Sequence, residues 1–134
     1  MRLTRACGYA LHALEYLAGR AEGTPVASHH IARARGVPER FLLKVLWPLV
    51  AAGLLRSLKG PHGGYALARP AARVTLLEVV EAVDGPIHGH APLGGARGDG
   101  LDSRLGAVCQ GVADLVRRQL GKVRISDLVG KKKG

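Results

Sequence analysis

The chain has few of the residues on which several protein classes depend. Its 134 residues include two cysteines, Cys7 and Cys109, so the disulfide framework of a small secreted domain is not expected. Aromatic residues make up 4% of the chain and are not interleaved with the charges, which disfavours single-stranded RNA binding by base stacking. No run reaches the roughly 20 apolar residues of a membrane-spanning helix. Because His12 and Glu15 interrupt the apolar N-terminal stretch, we also expect no signal peptide, and hence a cytoplasmic protein without membrane contact.

Acidic residues are also scarce, and the basic ones dominate the first half of the chain. Residues 1–70 carry ten Lys and Arg against three acidic residues, whereas residues 71–134 carry ten against seven. The C-terminal excess equals the run from Lys131 to Lys133. Such a basic module suggests a polyanionic partner, because cations placed on phosphates release condensed counterions. A membrane surface, an acidic protein or mere solubility would account for the same charge.

The apolar spacing in this basic half predicts three helices. Thr4 is a candidate N-cap for the first, which should stop near Gly19, and Ser28 is a candidate N-cap for a short second helix closed by Gly36. Val37-Pro38 opens the third helix, whose apolar stripe is Phe41, Leu42, Val45, Leu46 and Leu49. Two helices joined by a short glycine-containing turn are typical of a helix-turn-helix, although any small helical bundle has such corners.

The segment after Gly53 makes the helix-turn-helix interpretation more specific. Leu54 to Lys59 and Tyr65 to Arg69 have the pattern of two strands joined by a glycine-rich turn. A hairpin directly after a helix-turn-helix is a wing, whose glycines let backbone amides approach phosphates. Inside the third helix, Pro48 should kink or end the helix unless the helix already stops at Trp47.

The second half of the chain is predicted to hold two more helices and a long loop. Thr75 should cap a helix from Leu76 to Val83, and residues 84–99 lack any period. The apolar positions of a following helix of about 20 residues are Leu105, Val108, Cys109, Val112, Leu115, Val116 and Leu120. This helix is expected to form a homodimer seam, or alternatively to fold back on its own subunit.

The fold class expected from these elements is mainly α with a small β-hairpin. We expect a winged helix-turn-helix domain over residues 1–84, a loop over 85–100, and a dimerisation helix with a tail over 101–134. Several motifs, quoted as they stand here, resemble the Rrf2 family of regulators, of the IscR, NsrR and CymR types: MRLT at the start, Ser28-x-x-Ile31-Ala32, GLL at 53–55, GPHGGY at 60–65, TLLEVVEAVDGP at 75–86 and ISDL at 125–128. The resemblance covers nearly the whole chain.

This resemblance implies a bacterial transcription regulator that binds double-stranded DNA as a homodimer. Its activity would respond to iron–sulfur status, nitric oxide, redox state or a small metabolite. It implies a sequence-specific repressor rather than an enzyme. The residues that it places near DNA are Arg2, Thr4 and Arg5 at the start of the chain, Ser28, the recognition-helix residues Pro38, Glu39, Arg40 and Lys44, and the wing residues Arg56, Lys59, His62, Gly63 and Gly64.

The sensor region departs from the family pattern. Cluster-binding relatives carry three cysteines in the loop before the long helix, whereas this loop has none and offers His88 and His90. Cys109 with His12 or Cys7 of a partner subunit could hold a 2Fe-2S cluster or a zinc ion. The plainer interpretation makes Cys109 a packed core residue and leaves the histidines solvated.

Other functions stay open beside a cluster-sensing regulator. Cys7 and Cys109 could form a thiol redox switch, or the chain could be a family member that has lost its cofactor. A small metal-binding enzyme lacks support, since no nucleophile and base, carboxylate pair or phosphate loop is recognisable. A scaffolding module would use the helix-turn-helix only as a protein-binding surface.

Overall fold

The computed structural model of the chain describes residues 1–93 and 100–130. The first three helices are α1 (Arg5–Ala18), α2 (Ser28–Arg35) and α3 (Glu39–Ala51). Strands β1 (Leu55–Leu58) and β2 (Gly64–Leu67) follow, and a 3₁₀ turn (Ala71–Arg73) leads to α4 (Leu76–Asp84). The chain continues with α5 (Gly100–Gly121) and the short α6 (Ile125–Leu128). This mainly helical architecture with one hairpin is the fold class expected from the sequence. Among the described residues, no helix is long and apolar enough to cross a membrane.

Helix boundaries follow local capping chemistry. The Thr4 hydroxyl accepts a hydrogen bond from the Cys7 amide at 3.1 Å, which confirms the predicted cap of α1. Thr75 and Glu78 form a reciprocal capping box at the start of α4, also as predicted for Thr75. At α2 the prediction was wrong: Ala27 is the N-cap, and Ser28 is the first helical residue without a side-chain capping bond.

Gly36 makes the corner between α2 and α3. Its φ of 65° lies in the left-handed region, which residues with a Cβ adopt at a cost. Pro38 then caps α3, one position before the helix proper. The helix continues through Pro48 to Ala51, so of the two predicted effects of Pro48, a kink or an end of the helix, the end is wrong. Pro48 removes one amide donor toward Lys44, but packing of the flanking Leu46 and Leu49, both fully buried, keeps the helix together.

The wing is an antiparallel hairpin in which Leu55 pairs with Leu67 and Leu58 with Gly64. A Cβ at Gly63 would collide with the carbonyl oxygen of Leu58, and one at Gly64 with that of Val26. Glycine is therefore required at both positions for the strand to come this close to its neighbours. A bridge between Val26 and Tyr65, with both amide bonds at 2.9 Å, attaches the hairpin to the segment before α2.

The main core lies between α1, α3 and α4 and closes under the first wing strand. The α3 residues Leu42, Val45, Leu46 and Leu49 are buried there, as the predicted stripe requires. The segment after α5 returns to this core, because the Ile125 amide donates to the Val74 carbonyl and the Ile125 side chain is 2% exposed. This return to the core was not predicted from the sequence, in which the segment after the long helix was assigned only as a tail.

Truncating Ile125 tests whether the C-terminal segment stabilises the N-terminal core. Ile125→Ala should lower the free energy of unfolding by about 2–5 kcal/mol, because it removes buried methyl groups and leaves a cavity. Leu128→Ala is the matched control, since Leu128 lies on the same short helix and is 45% exposed. Urea unfolding of both variants gives the measurement. Equal, small losses in both would show that the segment contributes little to the core.

Candidate nucleic-acid interface

The exposed face of α3 carries both predicted recognition cations. Arg40 and Lys44 are solvent-exposed, one turn apart, on the side opposite the buried stripe. The Arg40 guanidinium lies 4.8 Å and the Lys44 ammonium 5.5 Å from the centre of the Phe41 ring. Phe41 in turn stacks on Tyr9 of α1, with ring centres 6.4 Å apart. The two cations are thus held beside an aromatic pair that joins α1 to α3.

Two of the ten N-terminal cations are engaged in ion pairs inside the fold. Arg35 pairs with Glu15 and Arg69 with Glu78, each at 2.7 Å. Burial alone would raise the pKa of Glu78, but the hydrogen bond from Arg69, together with the Thr75 amide, outweighs it and lowers that pKa. Within the part of the chain that the structure describes, Arg40, Lys44 and Lys59 form no ion pair within 4.0 Å and are exposed to solvent.

The remaining predicted DNA-contact residues lie at three places. Arg2 and Arg5 are exposed at the start of α1, and Pro38 and Glu39 are exposed at the start of α3. Lys59 and His62 are exposed around the wing turn, where the Gly63 amide donates to the Gly60 carbonyl at 3.0 Å. Arg56, although exposed, approaches the loop before α2 at Gly23. Ser28 is half-buried at the first turn of α2.

The Thr4 hydroxyl makes its hydrogen bonds within the fold. Its hydroxyl lies 3.0 and 2.9 Å from the two Asp84 carboxylate oxygens and donates to that carboxylate. The Cys7 thiol donates to the same carboxylate, with Sγ 3.0 Å from Oδ2. Asp84 therefore joins the end of α4 to the start of α1. Burial, followed by the hydrogen bond to Asp84, raises the pKa of the Cys7 thiol to about 11.

Sequence reasoning overlooked two residues on the exposed face of α3. Leu43 and Trp47 are large apolar side chains that the structure leaves 41% and 72% exposed. Their positions fall outside the stripe that the 3.6-residue period assigns to the core, and this was the signal available in the sequence.

The long helix α5 is almost uncovered. Among its described residues Ala113 alone is buried, and α5 packs chiefly on α4. Its large exposed apolar residues repeat four and three positions apart and are Leu101, Leu105, Val108, Val112 and Leu115. Cys109, Val116 and Leu120, from the same predicted stripe, are half-buried toward the rest of the chain. The stripe thus divides into a covered edge and an uncovered face.

The sequence and the fold have counterparts among known proteins. Residues 3–131 match the model of the Rrf2 family, described as an iron-dependent transcriptional regulator. The chain belongs to the Rrf2 family. It is therefore an HTH-type transcriptional regulator, which implies DNA as a partner, and its family is non-enzymatic, as predicted. The signal that this regulator senses is not fixed by its family membership.

Individual relatives cover most of the regulator. Rv1287 of Mycobacterium tuberculosis strain H37Rv, provisionally named an HTH-type transcriptional regulator, is 33% identical and the match covers 97% of this chain and 82% of that protein. The HTH-type transcriptional regulator IscR of Cereibacter sphaeroides is 30% identical, with 96% and 87% covered. Among solved structures, CymR, the global cysteine regulator of B. subtilis, superposes with a TM-score of 0.74 at 24% identity, covering 96% of this chain and 95% of that one.

The family description raises the question whether these residues fit an iron–sulfur cluster. A cluster is held chiefly by thiolates, yet the Cys7 thiol is fully buried and donates a hydrogen bond to the Asp84 carboxylate. His12, five residues on, is exposed, and its Nδ1 lies 3.3 Å from Arg35. Within residues 1–93 and 100–130 no group of three or more His, Cys, Asp or Glu is arranged to hold a metal ion. Within one subunit, the described thiol and imidazole donors therefore do not converge on a site for a 2Fe-2S cluster, and a site shared between Cys109 and His12 or Cys7 of a partner subunit stays a prediction.

The predicted sensor loop lies partly within the described residues. Gly89 packs backbone to backbone on Cys109, its amide donating to the Gln110 side chain at 3.2 Å. The flanking His88 and His90 rings are 4.2 Å apart. Residues 94–99 of the predicted loop, and the lysine run at 131–133, fall outside the described residues.

The raised pKa predicts how the two thiols differ in reactivity. In native protein at about pH 8, iodoacetamide should alkylate Cys109 and spare Cys7, because the Cys7 proton is held by Asp84. Peptide mass spectrometry before and after guanidinium unfolding provides the measurement. Rapid alkylation of Cys7 in the folded protein would contradict the Asp84 contact.

The same pKa shift predicts a pH dependence of stability. Because the folded state raises the pKa of the Cys7 thiol from its ordinary 9.0 to about 11, the protonated thiol contributes stability that is full below about pH 9 and lost as the pH rises to about 11. Cys7→Ala should remove this part of the alkaline fall, whereas Cys109→Ala should keep it. Chemical unfolding midpoints across this pH range test the difference.

Proposed function

We propose that the regulator binds a specific duplex site as a homodimer, with α3 in the major groove. The exposed pair Arg40 and Lys44, on the face of α3 opposite its buried stripe, carries this proposal. The second helix of a helix-turn-helix enters the groove by its N-terminal part, where both residues lie. The proposed organisation keeps the predicted boundaries: DNA binding in 1–84, a loop in 85–100 and dimerisation in 101–134.

The proposed DNA contacts divide by chemistry. Cations and backbone amides bind phosphates, and side chains that reach base edges provide specificity. Glycine at the wing turn allows the backbone to approach the duplex, and a lysine or histidine there can enter the minor groove. The proposed contact residues are Arg2, Thr4, Arg5, Ser28, Pro38, Glu39, Arg40, Lys44, Arg56, Lys59, His62, Gly63 and Gly64.

Two cation substitutions test the DNA interface. Arg40→Ala should weaken binding to the selected duplex by about 1–3 kcal/mol, and Lys59→Ala should lower the salt slope of the affinity by about one unit. Lys122→Ala, an exposed cation beyond α5, is the control and should leave both quantities unchanged. Fluorescence anisotropy over a salt series gives the readout. Binding that is no tighter to the selected duplex than to random duplex at physiological salt would remove the basis of the proposal.

Dimerisation is proposed through the uncovered face of α5. Its apolar residues follow the alternating four-and-three spacing of a coiled-coil seam, and their exposure is costly for an isolated chain in water. A second copy supplies a matching stripe under two-fold symmetry. Such a dimer also presents two α3 helices to the half-sites of a palindromic operator.

A charge placed in this seam should separate the subunits. Val108→Asp should yield a monomer, because a carboxylate would be buried without a partner in the dimer. Ala107→Asp, at the neighbouring exposed position on another side of the helix, should stay dimeric. Size-exclusion chromatography with light scattering distinguishes the two outcomes. A dimer that persists in Val108→Asp would place the interface elsewhere.

The proposed mode of regulation is repression by occupying the operator. Because the described donors of one subunit do not converge on a metal site, we propose regulation without a resident cluster. Of the two thiols, the half-buried Cys109 is better suited to a redox signal than Cys7, whose proton is held by Asp84.

A further inference from the structure

The exposed face of α3 contains an apolar patch beside its two cations. Leu43 and Trp47 are four residues apart, about 40° around the helix axis, and so lie one above the other on the same side. Arg40 and Lys44, themselves one turn apart, form the neighbouring row on the side of Phe41. Leu42, Val45, Leu46 and Leu49, which point the other way, already fill the core side of α3. Leu43 and Trp47 are therefore exposed and available to contact a partner.

The charges around the patch restrict what that partner can be. The exposed Arg40 and Lys44 beside Leu43 would repel a basic or cationic surface and attract a polyanion. The partner must consequently offer anionic groups and apolar groups within a few ångströms of each other. The major groove of DNA does so, because its phosphates flank the C5-methyl groups of thymine, which are the apolar feature of that groove.

We propose that Leu43, extended by Trp47 one turn further, reads thymine C5-methyl groups in the operator. The proposal rests on the proposed function, since it assumes that α3 enters the major groove. It assigns base discrimination at these positions to apolar contact, and leaves the phosphates and guanine edges to Arg40 and Lys44. Leu43 lies in the N-terminal half of α3, the part that reaches base edges in helix-turn-helix complexes. Trp47 lies one turn further toward the C-terminal end of α3 and shields the contact with Leu43 from water.

Replacing thymine by deoxyuridine removes the methyl group and nothing else. The full chain first selects its preferred duplex from a randomised library, and each thymine is then replaced singly. At one or two positions in each half-site the affinity of the unmodified protein should fall about fourfold, the value of one buried methyl-sized group. Leu43→Ala should bind the thymine and deoxyuridine duplexes equally at those positions, and Trp47→Ala should reduce the difference.

Leu58→Ala is the control variant, because Leu58 is an exposed leucine on the wing strand β1 and not on α3. It should keep the full discrimination between thymine and deoxyuridine. Leu43 and Trp47 are exposed, so their substitution should leave the thermal unfolding midpoint unchanged and the binding data interpretable. An unchanged midpoint separates loss of base contact from loss of fold.

The outcomes separate this inference from the function on which it rests. If the library yields no preferred duplex, the proposed function itself fails. If a preferred duplex is bound but every deoxyuridine is tolerated, or if Leu43→Ala weakens binding while keeping the difference between the two bases, the methyl-reading inference is overturned and the regulator's DNA binding stands. Loss of the thymine preference in Leu43→Ala alone among exposed leucine variants supports it.

Discussion

Burial of one face of α3 is the constraint on which the recognition surface depends. Leu42, Leu46 and Leu49 are fully buried, and together they fix the rotation of a rigid helix about its own axis. With that rotation set, Arg40 and Lys44 cannot turn inward without exposing the leucines to water. Each buried leucine is worth about 1.5–3 kcal/mol, more than exposed charges gain or lose by moving, so packing decides where the charges point.

Helix α4 transmits this constraint to the long helix. It packs on α3 on one side and on α5 on the other. Glu81 of α4 pairs with Arg117 of α5 and also accepts the Ile87 amide at 2.8 Å, so one carboxylate holds α4, α5 and the start of the loop together. The Glu81 side chain is accordingly half-buried. Because α4 contacts both α5 and α3, a displacement of α5 would reach the core side of α3 through α4.

The sequence predicts well those elements whose signal is local. Caps at Thr4 and Thr75, the left-handed corner at Gly36 and the hairpin after Gly53 each depend on a few adjacent residues, and all are present in the structure. Non-local packing was harder to foresee. The burial of Ile125 depends on Val74, which lies 51 positions earlier, and no periodicity in a four-residue helix reveals that pairing. Likewise, the seven apolar residues predicted on α5 do not reveal from their spacing which of them pack against the same chain and which stay exposed.

The candidate site was foreseen in its charges but not in its apolar part. Arg40, Lys44 and Lys59 follow from composition and motif, because cations off an apolar stripe belong to the surface of any helical fold. The exposure of Leu43 and Trp47 can be inferred only when the structure shows that other α3 residues already fill the core.

The Cys7 thiol is held in its protonated form. With a pKa of about 11, on the order of one Cys7 in ten thousand is ionised at neutral pH, so thiolate chemistry there must first break the hydrogen bond to Asp84. The Asp84 carboxylate also accepts a hydrogen bond from Thr4 and so anchors the start of α1, whose Tyr9 stacks on Phe41 beside Arg40 and Lys44. Chemistry at Cys7 would therefore act on the recognition helix through α1, at the cost of a cap and of core packing together.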